Sequence, residues 1–237
     1  MKRQPDLLVP AEGIWTSDPW PAGWTPEGVI ETLEPLALDE RRARFWAVAR
    51  GRIGSVTVLM DAPHDPHNAA AVLRSCDGFG IPRVHLVPRE EDFAVGRTVA
   101  KGAERWIEVV PHRTPELALS ALHEQGFTTV ATHPEGNLAP DDLAKLPRVA
   151  LILGNEHDGI RDALHEGAKE SVRIPMRGFV ESFNVSVAAA VLLYAATRGR
   201  EGDLPEAEQL RFYARALVRS VPRSLDVLAA TKAKTAP

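Results

Sequence analysis

The sequence predicts an α/β fold, a mostly parallel sheet flanked by helices, from two observations. Apolar β-type runs alternate with helical ones over residues 56–197, and one of those runs, RVALIL (148–153), is apolar apart from its leading arginine. Alternation of this kind builds βαβ units, and an uninterrupted apolar strand belongs to a parallel sheet covered on both faces. The expected strands are VTVLM (56–60), RVHLV (83–87), WIEVV (106–110), FTTVAT (127–132), RVALIL (148–153) and SVRIP (171–175). Between them fall helices near 68–79, from Pro115 to Gln125, after Gly159 and from Asn184 to about Thr197.

The flanks read differently. Residues 1–37 hold six prolines and three of the five tryptophans, Trp15, Trp20 and Trp24, with neither helical nor alternating period, which predicts an extended arm. Those tryptophans either pack on their own domain or stack on a base or partner. A basic helix follows, from Asp39 as N-cap to about Ala49, and leads the main domain, residues 38–200. Residues 201–237 form a basic amphipathic helix (about 205–220) and a tail, 221–237, expected to fray. In that helix Leu210, Ala214, Leu217 and Val218 share one stripe, which must pack on the core or on a second subunit.

Composition excludes several classes. With 237 residues, 44% hydrophobic, a formal charge of −4 and one cysteine, the chain reads as an ordinary globular protein. No apolar run approaches the roughly 20 residues of a bilayer-spanning helix, and no signal-peptide core follows Met1. Cys76 alone makes no disulfide and no cysteine-built zinc site, which fits a reducing, cytoplasmic compartment. His64 and His67 lack partners at metal spacing, so no metal is expected. Residues 195–237 carry eight basic groups against five acidic ones, whereas 51–194 carry fourteen against nineteen. Arginines at 41, 42, 44, 50 and 52, and again at 211, 215 and 219, are candidates for phosphate contact or simply solvated faces.

Three segments carry chemistry. In PHDPHNAAAVLRSCDGFGI, Asn68 stands at a helix start as a candidate N-cap and Arg74 projects from the same helix. In VALILGNEHDGI, a buried strand runs into Gly154, Glu156 and Gly159, where a ligand can approach backbone; neither a Walker lysine nor GxGxxG is present. In RIPMRGFVESFNVSVAAAVLLY, Ser182, Asn184 and Ser186 crowd a helix start that needs only one cap.

In order and spacing the three segments resemble the motifs of the SpoU (TrmH-like) family of RNA ribose 2'-O-methyltransferases, in the SPOUT superfamily. The matched positions are Asn68, Arg74, Phe79-Gly80, Leu151, Leu153-Gly154, Glu156, Gly159, Ile174-Pro175-Met176, Gly178, Ser182, Asn184-Val185-Ser186 and Ala188. Phe183 departs from the usual leucine, and Ala195 stands where an acid often follows Tyr194. The resemblance implies a C-terminal deep trefoil knot, a homodimer with its active site near the subunit interface, and S-adenosylmethionine as cofactor. It implies cofactor contacts from Gly154, Ile174 and Phe183, with Thr132 and Met176 added through their loop positions. It assigns activation of the ribose hydroxyl to Arg74, with Asn68, Glu156, Ser182 and Asn184 positioning substrate and arginine. A guanidinium is a poor base, since its pKa lies above ~12, so holding the RNA phosphate is the alternative role for Arg74.

The residues before the first strand are too few for the extra RNA-binding domain of the ribosomal-RNA branch. The stretch TVAKGAERWIEV (98–109) resembles the branch acting on guanosine 18 of the tRNA D-loop. Transfer RNA is therefore the expected substrate and ribosomal RNA the alternative, with Arg41, Arg42, Arg44, Arg211 and Arg215 as RNA contacts. A catalytically silent RNA-binding protein on the same fold is the reading from another class.

Overall fold

The computed structural model describes residues 18–88, 106–155 and 157–235. Glu156, Trp15 and most of the stretch 98–109 lie outside the described residues.

Among the described residues six strands form one sheet: β1 (Val56–Asp61), β2 (Arg83–Val87), β3 (Glu108–Pro111), β4 (Thr128–Thr132), β5 (Val149–Leu153) and β6 (Glu170–Val172). Their order is β3-β2-β1-β5-β4-β6 and every pairing is parallel. Central β1 and β5 are buried along their whole length, as an apolar run between two helical layers requires. On one face Val58, Met60, Leu151 and Leu153 pack against α3 (Pro66–Gly78) through Val72, Leu73 and Cys76, and against α6 (Val185–Thr197) through Ala189, Leu192 and Leu193. On the other, Leu59 and Ile152 meet α4 (Pro115–Glu124) through Ala118 and Leu122, and α5 (Asp162–Gly167) through Leu164. Burial and the neighbouring Asp77 push the Cys76 thiol well above its ordinary pKa, so it fills space and offers no thiolate.

The flanks fold more than their sequence patterns predict. The extended arm of 1–37 is corrected at its C-terminal end, where Pro26–Leu33 is a helix, α1. Thr25 caps it by accepting from the Gly28 amide at 3.2 Å, and Pro26 begins it where a missing N–H costs nothing. Leucine 38, and not Asp39, is the N-cap of α2 (Asp39–Arg50). The long amphipathic helix is α7 (Glu206–Ser220), and the tail expected to fray is helical over Ser224–Thr235 as α8. Trp20, Val29 and Leu33 cover Ala214, Leu217 and Val218 of α7, with Leu228 of α8 completing the cluster. The α7 stripe is thus satisfied within its own chain. Trp46 stacks on Tyr213 at 4.3 Å, and the Tyr213 hydroxyl donates to Glu34 at 2.6 Å.

This packing also takes arginines away from the surface. Arg52 is 1% exposed and donates to the Asp77 carboxylate at 2.6 Å and to the Ile81 carbonyl at 3.4 Å. Arg200 joins α6 to the sheet by donating to the carbonyls of Ala196 at 2.7 Å and Pro147 at 3.0 Å and to the Ser55 hydroxyl at 3.1 Å. Beneath α4, the rings of His85 and His112 stack, with Nδ1 of one 2.8 Å from Nε2 of the other. Burial first, then His112 and Arg83, lowers His85 from 6.5 to about 3, and burial lowers His112 to about 4.

These shifts fix a sign. The unfolded chain takes up protons near pH 6.5 that the folded chain refuses until about pH 4, so stability is full above 6.5 and declines as pH falls below it. Urea unfolding between pH 7 and 4 is expected to show that decline. The double variant His85→Leu, His112→Leu is expected to flatten it; an unchanged slope contradicts the assignment.

Candidate active site

A cleft of about 540 Å³ opens at the carboxyl ends of β4, β5 and β6. Ligands of parallel α/β sheets bind there, where the order of strands reverses. After β3 the chain crosses to the far side of β1, and β5 then fills the place between β1 and β4. Three loops leave that edge and close around the cleft, those after Thr132, after Leu153 and after Val172.

The middle loop turns back on the end of β5. The Asn155 amide donates to the Gly159 carbonyl at 3.0 Å, and the Asn155 side-chain oxygen accepts from the amides of His157 and Asp158 at 2.9 and 2.8 Å. Gly159 adopts φ of +70°, a region that favours glycine. A Cβ on Gly154 would lie 2.3 Å from the Gly159 carbonyl carbon, so backbone presses on backbone with no room for a side chain. Asp61, fully buried at the end of β1, anchors the far end of this turn. It accepts from the Arg161 amide at 2.7 Å and from Arg161 Nε at 2.6 Å.

The third loop ends on a built helix start. Asn184 is the N-cap of α6, its side-chain oxygen accepting from the Ser186 amide at 2.9 Å and the Ser186 hydroxyl at 2.6 Å. The Asn184 amide nitrogen donates to the Asn68 side-chain oxygen at 3.1 Å, tying the starts of α3 and α6 together. Asn68 itself is not the cap expected of it; Asp65 caps α3 by accepting from the His67 amide at 2.8 Å, which leaves the Asn68 side chain for Asn184.

Of the residues singled out in the sequence, Thr132, Gly154, Ile174, Met176, Phe183, Ser182 and Asn184 all line this one cleft. Asn68 lines a small recess beside it, shared through Gly154, Asn155 and Val185. Arg74 is exposed on α3 and does not line the cleft. It stands six residues beyond Asn68, about 9 Å along a helix. Sequence reasoning missed Asn155, Asp61, Arg161 and Glu181. Asn155 and Asp61 carried a readable signal, since a polar residue at the end of an apolar strand needs a partner, but the partner of Asp61, Arg161, lies 100 residues away.

The five arginines proposed for RNA separate. Arg41 and Arg44 are exposed on α2, and Arg42 is paired with Asp39. Arg211 pairs with Asp18 at 3.2 Å. Arg215 is a correction: it is 8% exposed, sits among the buried residues of α7 and pairs with the same Asp18 at 3.3 Å, so it is part of the core and not of a phosphate-facing surface. Burial lowers its pKa to about 10, with Glu108 and Asp18 opposing, so it stays charged.

Leu153, Ile160, Ile174, Met176, Phe183 and Val185 give the cleft apolar walls, and Thr132, Asn155, Ser182 and Asn184 give it hydroxyls and amides. Its size falls in the range of small-ligand sites, and its linings suit a molecule with a flat heterocycle, a ribose and a charged end, such as S-adenosylmethionine. Fold and cleft together define a parallel α/β protein that holds a mid-sized ligand at the carboxyl edge of its sheet. Residues 55–194 match the SpoU rRNA Methylase family, and the chain belongs to that family. It is 35% identical over 181 residues to the tRNA (guanosine(18)-2'-O)-methyltransferase of Escherichia coli K12, covering 72% of this chain and 79% of that one. The A. aeolicus TrmH/SpoU tRNA modifying enzyme superposes with a TM-score of 0.68 at 26% identity, over 78% of this chain and 98% of its own. The SpoU methyltransferase AviRb from Streptomyces viridochromogenes, in complex with the cofactor AdoMet, superposes at 0.56 with 25% identity, over 62% of this chain and 58% of its own.

Removing the Asp61 carboxylate leaves the Arg161 guanidinium without its buried partner. Asp61→Ala is expected to lower unfolding stability by about 1.5–3 kcal/mol in urea titration. A loss below about 1 kcal/mol contradicts the anchoring role.

Proposed function

We propose that the protein methylates the ribose 2'-hydroxyl of guanosine 18 in the D-loop of tRNA, with S-adenosylmethionine as donor. What carries this reading is that all five residues assigned to the cofactor line one cleft, with Ser182 and Asn184 on it and Asn68 bonded to Asn184. When bound, the cofactor supplies an electrophilic methyl group on a sulfonium. The chain's own residues then orient the poor nucleophile and handle its proton. Asn184 and Asn68 fix the junction of α3 and α6; Ser182 and Glu156 position the ribose and its neighbours; Arg74 holds the RNA phosphate and orients the hydroxyl, or accepts its proton. The phosphate role is physically easier, because a guanidinium presents five N–H donors and no acceptor. Arg41, Arg44 and, less openly, Arg42 and Arg211 offer phosphate contacts outside the cleft.

The reading includes a deep trefoil knot, formed by the loops after Thr132, Leu153 and Val172 that meet around the cleft. It also includes a homodimer, and here α6 is the informative element. Val187, Val191 and Tyr194 recur at helical spacing and are 46%, 38% and 60% exposed, although a helix apolar on all sides is normally covered on all sides. We assign this stripe to a second copy of the chain. The helix α3, which carries Arg74, packs beside α6, in keeping with a site assembled by two subunits. No helix among the described residues is long and apolar enough to cross a membrane, and the single cysteine suits the cytoplasm.

The direct test is transfer of a labelled methyl group to unmodified tRNA transcripts, beside a transcript with guanosine 18 replaced and a ribosomal-RNA mixture. Label on tRNA that disappears with the replacement is expected; label only on ribosomal RNA overturns the substrate. Arg74→Ala is expected to reduce transfer at least about 100-fold while S-adenosylmethionine binding, followed by calorimetry, stays within twofold. Loss of binding in that variant contradicts its assigned role. Val191→Asp is expected to give monomers in analytical ultracentrifugation, whereas an unchanged mass rejects α6 as the dimer face.

A further inference from the structure

Glu181 lies in the loop between β6 and α6, immediately before Ser182, and lines the cleft. Among the described residues that line it, Glu181 is the one aspartate, glutamate, lysine or arginine. The other walls are apolar groups, hydroxyls, amides and the ring of His133. In a concave, largely apolar setting such a carboxylate projects its potential into the space, because no cation among the described lining residues cancels it and low-dielectric walls focus the field.

The consequence follows from the chemistry of the donor, and so rests on the cofactor reading above. S-adenosylmethionine carries a positive sulfonium in addition to its ammonium and carboxylate. When the methyl carbon passes to an oxygen nucleophile, the carbon–sulfur bond breaks with its electron pair left on sulfur, and the product, S-adenosylhomocysteine, has lost that one positive charge. The two molecules are nearly the same shape, so apolar walls and hydrogen bonds distinguish them poorly. Charge distinguishes them directly.

We infer that Glu181 sets the preference of the cleft for the sulfonium donor over its demethylated product. The carboxylate attracts the donor and loses its hold once the charge is gone, which favours product release and limits product inhibition. Glu181 is exposed, so the effect is modest. An exposed charge pair corresponds to about a three- to fivefold change in affinity.

The test is isothermal titration of the purified chain at low salt with three ligands: S-adenosylmethionine, S-adenosylhomocysteine and an analogue bearing an amine on carbon in place of the methylated sulfur. Glu181→Gln is expected to weaken the donor and the amine analogue by about three- to fivefold and leave the neutral product within about 1.5-fold. Glu181→Asp, which keeps the charge, is expected to retain the preference. In the unaltered chain the donor-to-product ratio is expected to fall with added salt, and in Glu181→Gln to stay flat. Equal weakening of all three ligands reveals a role in loop shape only and overturns the inference, as does an unchanged ratio. If the unaltered chain binds neither donor nor product, the cofactor reading itself falls and this inference with it; if both bind and the ratio does not move, only the assignment to Glu181 fails.

Discussion

The cleft depends on one close approach, that of the Gly154 backbone to residues 159 and 160 at the end of β5. Every other feature at the edge of the sheet is arranged around it. A side chain at 154 would displace Gly159, which already occupies a backbone region suited to glycine, and the turn between them is held by the three bonds of Asn155. The buried Asp61 carboxylate then fixes Arg161 where the turn ends, so the loop is pinned to both central strands. Facing it, Asn184 spends its oxygen on capping α6 and its nitrogen on Asn68. The cleft between these two fixed walls is open without being loose, as a site that must orient two reactants requires.

The flanking segments serve a different end. The stripe on α7 is closed by α1, Trp20 and α8, and two of its arginines share Asp18. Arg52 and Arg200 likewise donate to carbonyls in the domain. Arginine counts along this chain therefore overstate its phosphate-binding surface. Under the proposed function, RNA contacts on a protein of net charge −4 fall to guanidinium groups that stay exposed, among them Arg41, Arg44 and Arg74.

Much of this was legible in the sequence. The six strands and their intervening helices follow from apolar runs of the right length, and boundaries differ from expectation by two or three residues at most, as at β6, which ends at Val172 and not at Pro175. Of the cleft-lining residues, Gly154, Ile174 and Phe183 were named through the family resemblance and Thr132 and Met176 through their loop positions, while a glycine after a buried strand and a surplus of capping side chains marked two of the same loops locally. What stayed hidden was long-range. Nothing near Arg215 announces that Asp18, 197 residues away, will pair with it, and nothing near Pro26 shows that a proline-rich segment will become a helix once α7 offers an apolar face. Asn68 illustrates the same limit: its local role as a cap was plausible, but Asp65 takes it, and the tertiary partner Asn184 decides what Asn68 does.

The central claim is that this single cleft holds the methyl donor. Co-crystallisation with S-adenosylmethionine tests it most directly. The account predicts density for the cofactor between Thr132, Gly154, Ile174, Met176 and Phe183, with the methyl-bearing end toward Ser182 and Asn184. Density elsewhere on the chain, or an empty cleft at saturating cofactor, contradicts it.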